Sequence, residues 1–296
     1  MKFSSATLLI IAATLIWGGT APIMKLALEE VPIFSLAFIR MFFASLLLGA
    51  FVFRKLKIQK SDYSTFLYSA LTGVTINLAL FFIALKLTEA ILAAILVAAV
   101  PVMTMVAANF YLKEKLTLKL IVSSAIALVG VIIIVGIPQD GFNIKALVGN
   151  ILLLVASLVW VIHEIIAKKL LKVYSAETVT FYAMAIGAVT FLPFAFLEFI
   201  NKPTWPTHLS FWGIFGILYG IFFASFFAYW AWQKGLAKLP AGQASFFFYL
   251  DPISGAILSI ILLGEKLTLP LVIGAVFITL AIVLAESHRK MHLLHR

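Results

Sequence analysis

Apolar residues run in long, nearly unbroken stretches along the chain, parted by short clusters of charged and turn-forming residues. The stretches cover roughly 6–27, 33–53, 64–86, 89–112, 117–136, 146–167, 176–199, 211–233, 241–263 and 268–286. Each is close to the roughly 20 residues a helix needs to cross the hydrocarbon core of a bilayer. Glu29-Glu30-Val31-Pro32, Lys113-Glu114-Lys115, Pro138-Gln139-Asp140-Gly141 and Gly264-Glu265-Lys266 are typical of the breaks, where charge, Pro and Gly stop a buried helix. The pattern predicts an all-α integral membrane protein with ten transmembrane helices.

Composition agrees. Of 296 residues, 64% are hydrophobic and 11% charged, with a mean hydropathy of +1.14. A soluble domain is closer to about half apolar and about a quarter charged, and no stretch here is polar and long enough to form one. The opening Met1-Lys2-Phe3 followed by an apolar run has the look of a signal peptide. That run continues past the usual length and has an internal copy, so it reads as the first span. With no cysteine in the chain, disulfides, thiolate nucleophiles and Cys-based zinc sites are excluded.

The formal charge of +10 is a topology signal in a membrane protein rather than a nucleic-acid footprint. Sixteen Lys and Arg residues fall in the loops on the side of both termini and five on the other, with Arg40 inside a span and counted on neither. Positive residues gather inside. The expectation is a multi-pass protein of the cell membrane with both termini in the cytoplasm.

The chain also repeats itself. At an offset of 151, Pro101 falls on Pro252 and Glu114-Lys115-Leu116-Thr117-Leu118 falls on Glu265-Lys266-Leu267-Thr268-Leu269. At an offset of 143, Trp17, Ile23, Lys25 and Phe38 fall on Trp160, Ile166, Lys168 and Phe181. Two units follow, residues 1–140 and 141–296, with five spans each. An odd number of spans turns the second copy upside down in the membrane. Inverted repeats that meet at the bilayer midplane are the usual build of alternating-access transporters.

Leu15-Ile16-Trp17-Gly18-Gly19, Arg40 in the second span and the paired Pro and Glu-Lys-Leu-Thr strings resemble the EamA-type branch of the drug/metabolite transporter superfamily. The resemblance implies a 5+5 inverted repeat around a central cavity lined mainly by spans 1, 3, 4, 6, 8 and 9. It also implies export of small metabolites, often amino acids.

Ionisable residues within spans are functional candidates because placing them there is costly. Asp251 lies near the midplane in span 9, where a carboxylate can hold a substrate ammonium or carry a coupling proton. At helical spacing Gln243, Phe247, Asp251 and Ser254 share one face, with Tyr249 and Asn77 as further cavity contacts. Arg40, about 10 Å inside the external face by helical rise, reads as structural or lipid-facing, with a gating or ion-pair role as the alternative. Glu164 reads as one half of a helix pair with Lys168 four residues on, and His163 beside it as a gating or interfacial residue. His163-Glu164 lacks the second histidine of a zinc-protease motif, so no metal is expected. Tyr219, Phe223, Phe226, Trp230 and Gln233 form a stripe on span 8 that reads as lipid contact. Trp17 and Trp160 are symmetric scaffold residues that also face the expected cavity, and Pro101 and Pro252 are expected helix kinks.

The leading expectation is a secondary transporter that exports small metabolites, amino acids or related amphipathic compounds. No nucleotide-binding Gly-rich loop is present, and neither a cofactor nor a nucleic-acid partner is expected. The expected partners are a small-molecule substrate, the lipid bilayer and, for coupling, protons, with the protein a monomer or homodimer. A facilitative or lipid-handling carrier (a scramblase) is the alternative. An intramembrane enzyme fits less well, since no convergent nucleophile–base set is visible.

Overall fold

The computed structural model describes residues 4–53, 56–88, 97–135, 144–263 and 269–286. Among the described residues all regular structure is helical. In chain order the helices are α1 (Ser5–Glu30), α2 (Ile33–Val52), α3 (Lys60–Leu87), α4 (Val100–Leu112), α5 (Leu118–Val135), α6 (Ile144–Leu170), α7 (Ala176–Asn201), α8 (Phe211–Lys238), α9 (241–263) and α10 (Leu269–Glu286). Six of them, α1, α2, α3, α6, α7 and α8, are long and apolar enough to cross a membrane. Val100–Leu112, Leu118–Ile133 and Val272–Ala285 are shorter apolar helices. The first eight residues of the expected fourth span, and the Glu265-Lys266-Leu267-Thr268 copy of the repeated string, lie outside the described residues.

The outer faces carry the apolar side chains that a bilayer would solvate. Phe43 and Leu46 of α2, Phe196 and Leu197 of α7 and Phe222 of α8 are exposed, while Thr14, Thr104, Ser225, Gln233, His163 and Glu164 are buried. A protein dissolved in water would show the opposite trend. The helix ends are fixed by capping. Ser4 and Ser175 accept hydrogen bonds from the Thr7 and Thr178 amides, each at 3.2 Å, which satisfies donors that a helix start leaves open. Glu198 near the end of α7 takes the Phe34 and Ser35 amides at 3.1 and 2.7 Å, capping α2 from a neighbouring helix.

Helix contacts recur with a shift of five. Helix α1 packs on α8 and α9 as α6 packs on α3 and α4. Helix α2 packs on α3 and α8 as α7 packs on α8 and α3. The remaining large contacts, α2 with α7, α4 with α9 and α5 with α10, each join a helix to its own counterpart.

The third helix of each set changes winding at the same place. Leu71–Ile76 of α3 and Gly220–Phe227 of α8 are π-helical, and the offset of 151 carries the first into the second. A π turn holds one extra residue and rotates everything beyond it, so a stripe drawn at the ordinary helical period does not survive it. The span 8 stripe is such a casualty. Phe223 is exposed, Gln233 is fully buried and Trp230 is tied to Glu177 by its indole N–H at 3.1 Å.

The two prolines expected as kinks lie at different kinds of place. Pro101 is the second residue of α4, and Pro252 is the second residue of the α-helical part of α9 (Asp251–Leu263). In the first turn of α4 the missing Pro101 N–H has no partner to lose within that helix, whereas Pro252 lies inside α9, where the helix passes from 3-10 to α. The 3-10 segment is Phe246–Leu250, just before Pro252. A proline inside a helix also occurs at Pro22 of α1.

Candidate functional site

At the centre the two repeat-related tryptophans touch. Trp17 of α1 and Trp160 of α6 meet edge to face, ring centroids 5.3 Å apart. Tyr229 and Trp232 of α8 and Phe248 of α9 complete the cluster. Phe248 stacks on Trp17 at 5.9 Å and lies 4.7 Å from Trp232, and Tyr229 stands edge-on to Trp17 at 5.2 Å. The 3-10 segment places Phe246, Phe247, Phe248 and Tyr249 all inside the protein. The single face expected for Gln243, Phe247, Asp251 and Ser254 is therefore not formed, since α-helical spacing does not hold across that segment.

The π turns present main-chain carbonyls to this cluster. The Trp17 indole N–H donates to Ala224 O at 2.9 Å, and the Tyr229 hydroxyl donates to Gly73 O at 3.1 Å. Gly73 and Ala224 are equivalent at the offset of 151. Gly73 has a second role, because a side chain there would run into the His163 ring.

His163 belongs to the interior, with no exposed surface. Its Nδ1 lies 2.8 Å from Ser69 O and 3.1 Å from Ser69 Oγ. A carbonyl only accepts, so Nδ1 carries the proton and Nε2 is left to accept. Nε2 meets the Gln233 amide nitrogen, a donor, at 3.0 Å. The line Ser69–His163–Gln233 thus crosses from α3 through α6 to α8, and the Gln233 amide oxygen is buried with no partner.

Glu164 does not pair with Lys168. It turns into the protein, where the Thr104 hydroxyl donates to its Oε2 at 2.5 Å and Oε1 is buried without a partner. Lys168 is drawn away by the end of α8, donating to Leu236 O and Leu239 O. Those are carbonyls of a helix C-terminus, which favours a cation. Glu114 grips the same connection from its other side. Its carboxylate takes the Ala241 and Gly242 amides of α9 at 2.7 and 3.1 Å. Lys113, the one non-glycine residue with positive φ among the described residues, at 60°, ends α4 and turns the chain there. Lys25, the counterpart of Lys168, reaches Thr88 O at the end of α3 at 3.4 Å, and Thr88 is the counterpart of Leu239.

Asp251 lies against α1. A side chain at Gly18 would collide with Ser254 Oγ and the Asp251 main chain, so this glycine lets α9 approach. Asp251 Oδ1 is buried with no partner, and the Ser254 hydroxyl turns back to Asp251 O at 3.1 Å. Pro22 has no N–H to give the Gly18 carbonyl, its usual partner four residues earlier. That oxygen would lie 3.1 Å from any Cβ added at Gly255. The Tyr219 hydroxyl donates to Ile16 O at 2.5 Å and lies in electrostatic reach of Asp251.

Arg40 faces the protein interior and not lipid, at 2% exposure. Its Nε donates to Ser225 Oγ at 3.2 Å and its guanidinium carbon lies 5.4 Å from the Phe82 ring centroid. It makes no ion pair with Asp251; among the described residues the salt bridge is Lys234 with Glu177, at 2.6 Å. Asn77 serves packing, donating to Ala156 O at 2.9 Å. Tyr249 is buried on Phe246 with its hydroxyl unpartnered, and Gln243 is half-buried on the first turn of α9.

Sequence reasoning missed Trp232, Phe248, Tyr229 and Gly73, and it placed Gln233 on a lipid-facing stripe. The offset of 151 links Gly73 to Ala224, but nothing in either residue type announces a π turn.

The sequence profile of the EamA-like transporter family matches residues 4–136 and 147–286. An uncharacterized transporter of Archaeoglobus fulgidus is 32% identical over 268 residues, covering 89% of this chain and 91% of that protein. The uncharacterized transporter YoaV of Bacillus subtilis is 25% identical over 274 residues, covering 91% and 92%. A crystal structure at 17% identity superposes with a TM-score of 0.78 over 98% of this chain and 99% of that one, which is a likeness of fold.

Proposed function

The chain belongs to the EamA-like transporter family, and we propose that it is a secondary exporter of amino acids or related amphipathic metabolites, working by alternating access. Its ten helices form two inverted units, residues 1–140 and 141–296, that rock about the Trp17–Trp160 contact with both termini in the cytoplasm. The observation that carries this reading is the recurrence of helix contacts with a shift of five. The two separate family matches, one to each unit, support it. So do the π turns and lysine contacts at corresponding places.

The mechanism follows from these parts. The π turns in α3 and α8 are places where a helix can change register at low cost. Lys168 and Glu114 tie the α8–α9 connection on the cytoplasmic side, while Lys25 ties the end of α3 on the external side. Releasing one tie while keeping the other opens one side at a time. Asp251, buried with a carboxylate oxygen that has no hydrogen-bond partner, receives the ammonium of the solute or a coupling proton. The 296 residues carry no nucleotide-binding Gly-rich loop, and an ion or solute gradient is the driving force in this reading.

The test is uptake of a labelled amino-acid panel into proteoliposomes with and without an imposed pH gradient, for wild type and Asp251→Asn. Gradient-driven transport in wild type, reduced to exchange in the variant, makes Asp251 the coupling residue. Equal transport by both, indifferent to the gradient, makes the protein a facilitator and Asp251 structural.

A further inference from the structure

A carboxylate inside a protein is costly unless a cation or several hydrogen bonds compensate it. Glu164 has neither. It has no exposed surface, the Thr104 hydroxyl meets its Oε2 at 2.5 Å, and its Oε1 has no hydrogen-bond partner. Lys168 stands one turn further along the same helix, at the spacing that favours a Glu-to-Lys pair. Its ammonium is engaged instead by Leu236 O and Leu239 O.

The other charged groups around Glu164 are committed elsewhere. Glu114 of α4, in electrostatic reach of both Glu164 and Lys168, holds the Ala241 and Gly242 amides. Lys234 of α8 is paired with Glu177, Asp62 of α3 takes the Tyr174 hydroxyl, and Asp251 of α9 lies against Gly18 of α1. Lys60 at the start of α3, Lys113 and Lys115 after α4, Lys169 and Lys172 at the end of α6 and Lys238 of α8 are exposed. His163 donates from Nδ1 to Ser69 O and accepts at Nε2 from Gln233, which makes it neutral.

We propose that Glu164 and Lys168 form a proton-linked latch on the cytoplasmic side. While the α8–α9 connection is tied down, Lys168 stays on the α8 carbonyls and Glu164 keeps a proton. When the tie breaks, the Lys168 ammonium swings back one turn to Glu164. The carboxyl O–H bond then breaks and its proton passes to cytoplasmic water. Lys168 keeps its own charge throughout, so one proton leaves for each opening. The Glu-to-Lys spacing in the sequence is thus the pairing of the opened form. This rests on the transport reading above and separates two tasks left together there: the coupling proton goes to Glu164 and the solute to Asp251.

Two readouts on the full chain in lipid nanodiscs test this without any solute. The first is the infrared C=O band of a protonated carboxyl, recorded for wild type, Glu164→Gln and Asp251→Asn so that the two buried groups are told apart. Wild type is expected to show a band that Glu164→Gln removes and Asp251→Asn keeps. The second is maleimide labelling of Gln243→Cys, the reporter of cytoplasmic opening. Its rate is taken relative to exposed Ala237→Cys, which carries the thiol's own pH dependence. Opening that releases a proton is favoured as pH rises and opposed as it falls. The relative rate is therefore expected to rise at least about fivefold between about pH 6 and about pH 9. Glu164→Gln, which mimics the protonated form, is expected to hold the slow rate at every pH, and Glu164→Asp to restore part of the rise. Lys168→Met, with neither the tie nor the later pair, is expected to flatten the profile around a higher rate. A band untouched by Glu164→Gln overturns the proposal, and so does a pH profile that survives Glu164→Gln or Lys168→Met. The transport reading fails separately. If both readouts come out as expected while wild-type proteoliposomes move no panel member, the latch stands and the exporter falls. If wild type and Glu164→Gln transport equally under the same pH gradient, the exporter stands and the latch falls.

Discussion

The indoles of Trp17 and Trp160 lie edge to face with centroids 5.3 Å apart, although 143 residues separate them in the chain. They hold corresponding positions at the sequence offset of 143, and theirs is the contact the proposed inverted arrangement turns on. Around the pair, the Trp17 indole is fixed by the Ala224 carbonyl and Tyr229 by the Gly73 carbonyl. A ring from α1 is thus held by the π turn of α8, and a ring from α8 by the π turn of α3. The edge-to-face arrangement sets the positive rim of one ring against the negative face of the other, which adds to the area buried.

Trp232→Ala is expected to destabilise the protein by about 3–5 kcal/mol, the usual cost of deleting a buried large aromatic, because Trp232 is fully buried against Phe248. Trp17→Phe keeps most of the packing and loses one hydrogen bond, so its cost is expected near 1 kcal/mol. Chemical unfolding in detergent, followed by circular dichroism, gives both numbers. Equal costs would show that the indole N–H and not the packing matters.

Gly73→Val is expected to cost about 1–3 kcal/mol through overpacking, since the new side chain meets the His163 ring. Gly73→Val with His163→Ala is expected to recover part of that loss. A double-mutant cycle by thermal unfolding measures the coupling, and strict additivity of the two changes would place the clash elsewhere.

Lys168→Met removes the bonds to Leu236 O and Leu239 O. It is expected to favour opening on the cytoplasmic side by about fivefold, on the basis of about 1 kcal/mol for a lost bond. Lys25→Met, which releases Thr88 O, is expected to favour the external side. Labelling rates of a single cysteine introduced at Gln243, in a chain that has none of its own, report the first shift. A rate unchanged by Lys168→Met would remove this residue from gating.

Glu114→Gln is expected to keep the fold and weaken the grip on the Ala241 and Gly242 amides, because a neutral amide oxygen accepts less strongly than a carboxylate. Hydrogen exchange at those two amides should speed up while the rest of α9 is unchanged. Protection that stays the same would show that the carboxylate is not what holds them.

Much of the fold was legible because burial in a bilayer is written in composition. The apolar runs gave α1, α2, α3, α6, α7 and α8 within a few residues at each end. The repeat offsets paired Trp17 with Trp160 and Lys25 with Lys168 before any coordinates. Side-chain partners were less legible. Glu164 sits four residues before Lys168, yet the Thr104 hydroxyl, as donor to Glu164, and the α8-end carbonyls, as acceptors for Lys168, outcompete the local pair, because several tertiary partners outweigh one exposed helix contact. Arg40 could be read from sequence as lipid-facing, and only the notch at Gly220 shows why it turns inward. Gln233 was lost to a lipid stripe because a π turn shifts the helical phase with no signature in residue type.

The central claim is that the two units are inverted with respect to the membrane, and sealed vesicles of known orientation test it directly. Lys86 and Ala237 occupy corresponding exposed positions near the ends of α3 and α8. Single-cysteine variants Lys86→Cys and Ala237→Cys would be labelled with a membrane-impermeant maleimide from the outside alone and then after permeabilisation. The account predicts reaction from opposite sides, Ala237→Cys from the cytoplasmic side and Lys86→Cys from the external one. Labelling of both from the same side would contradict it.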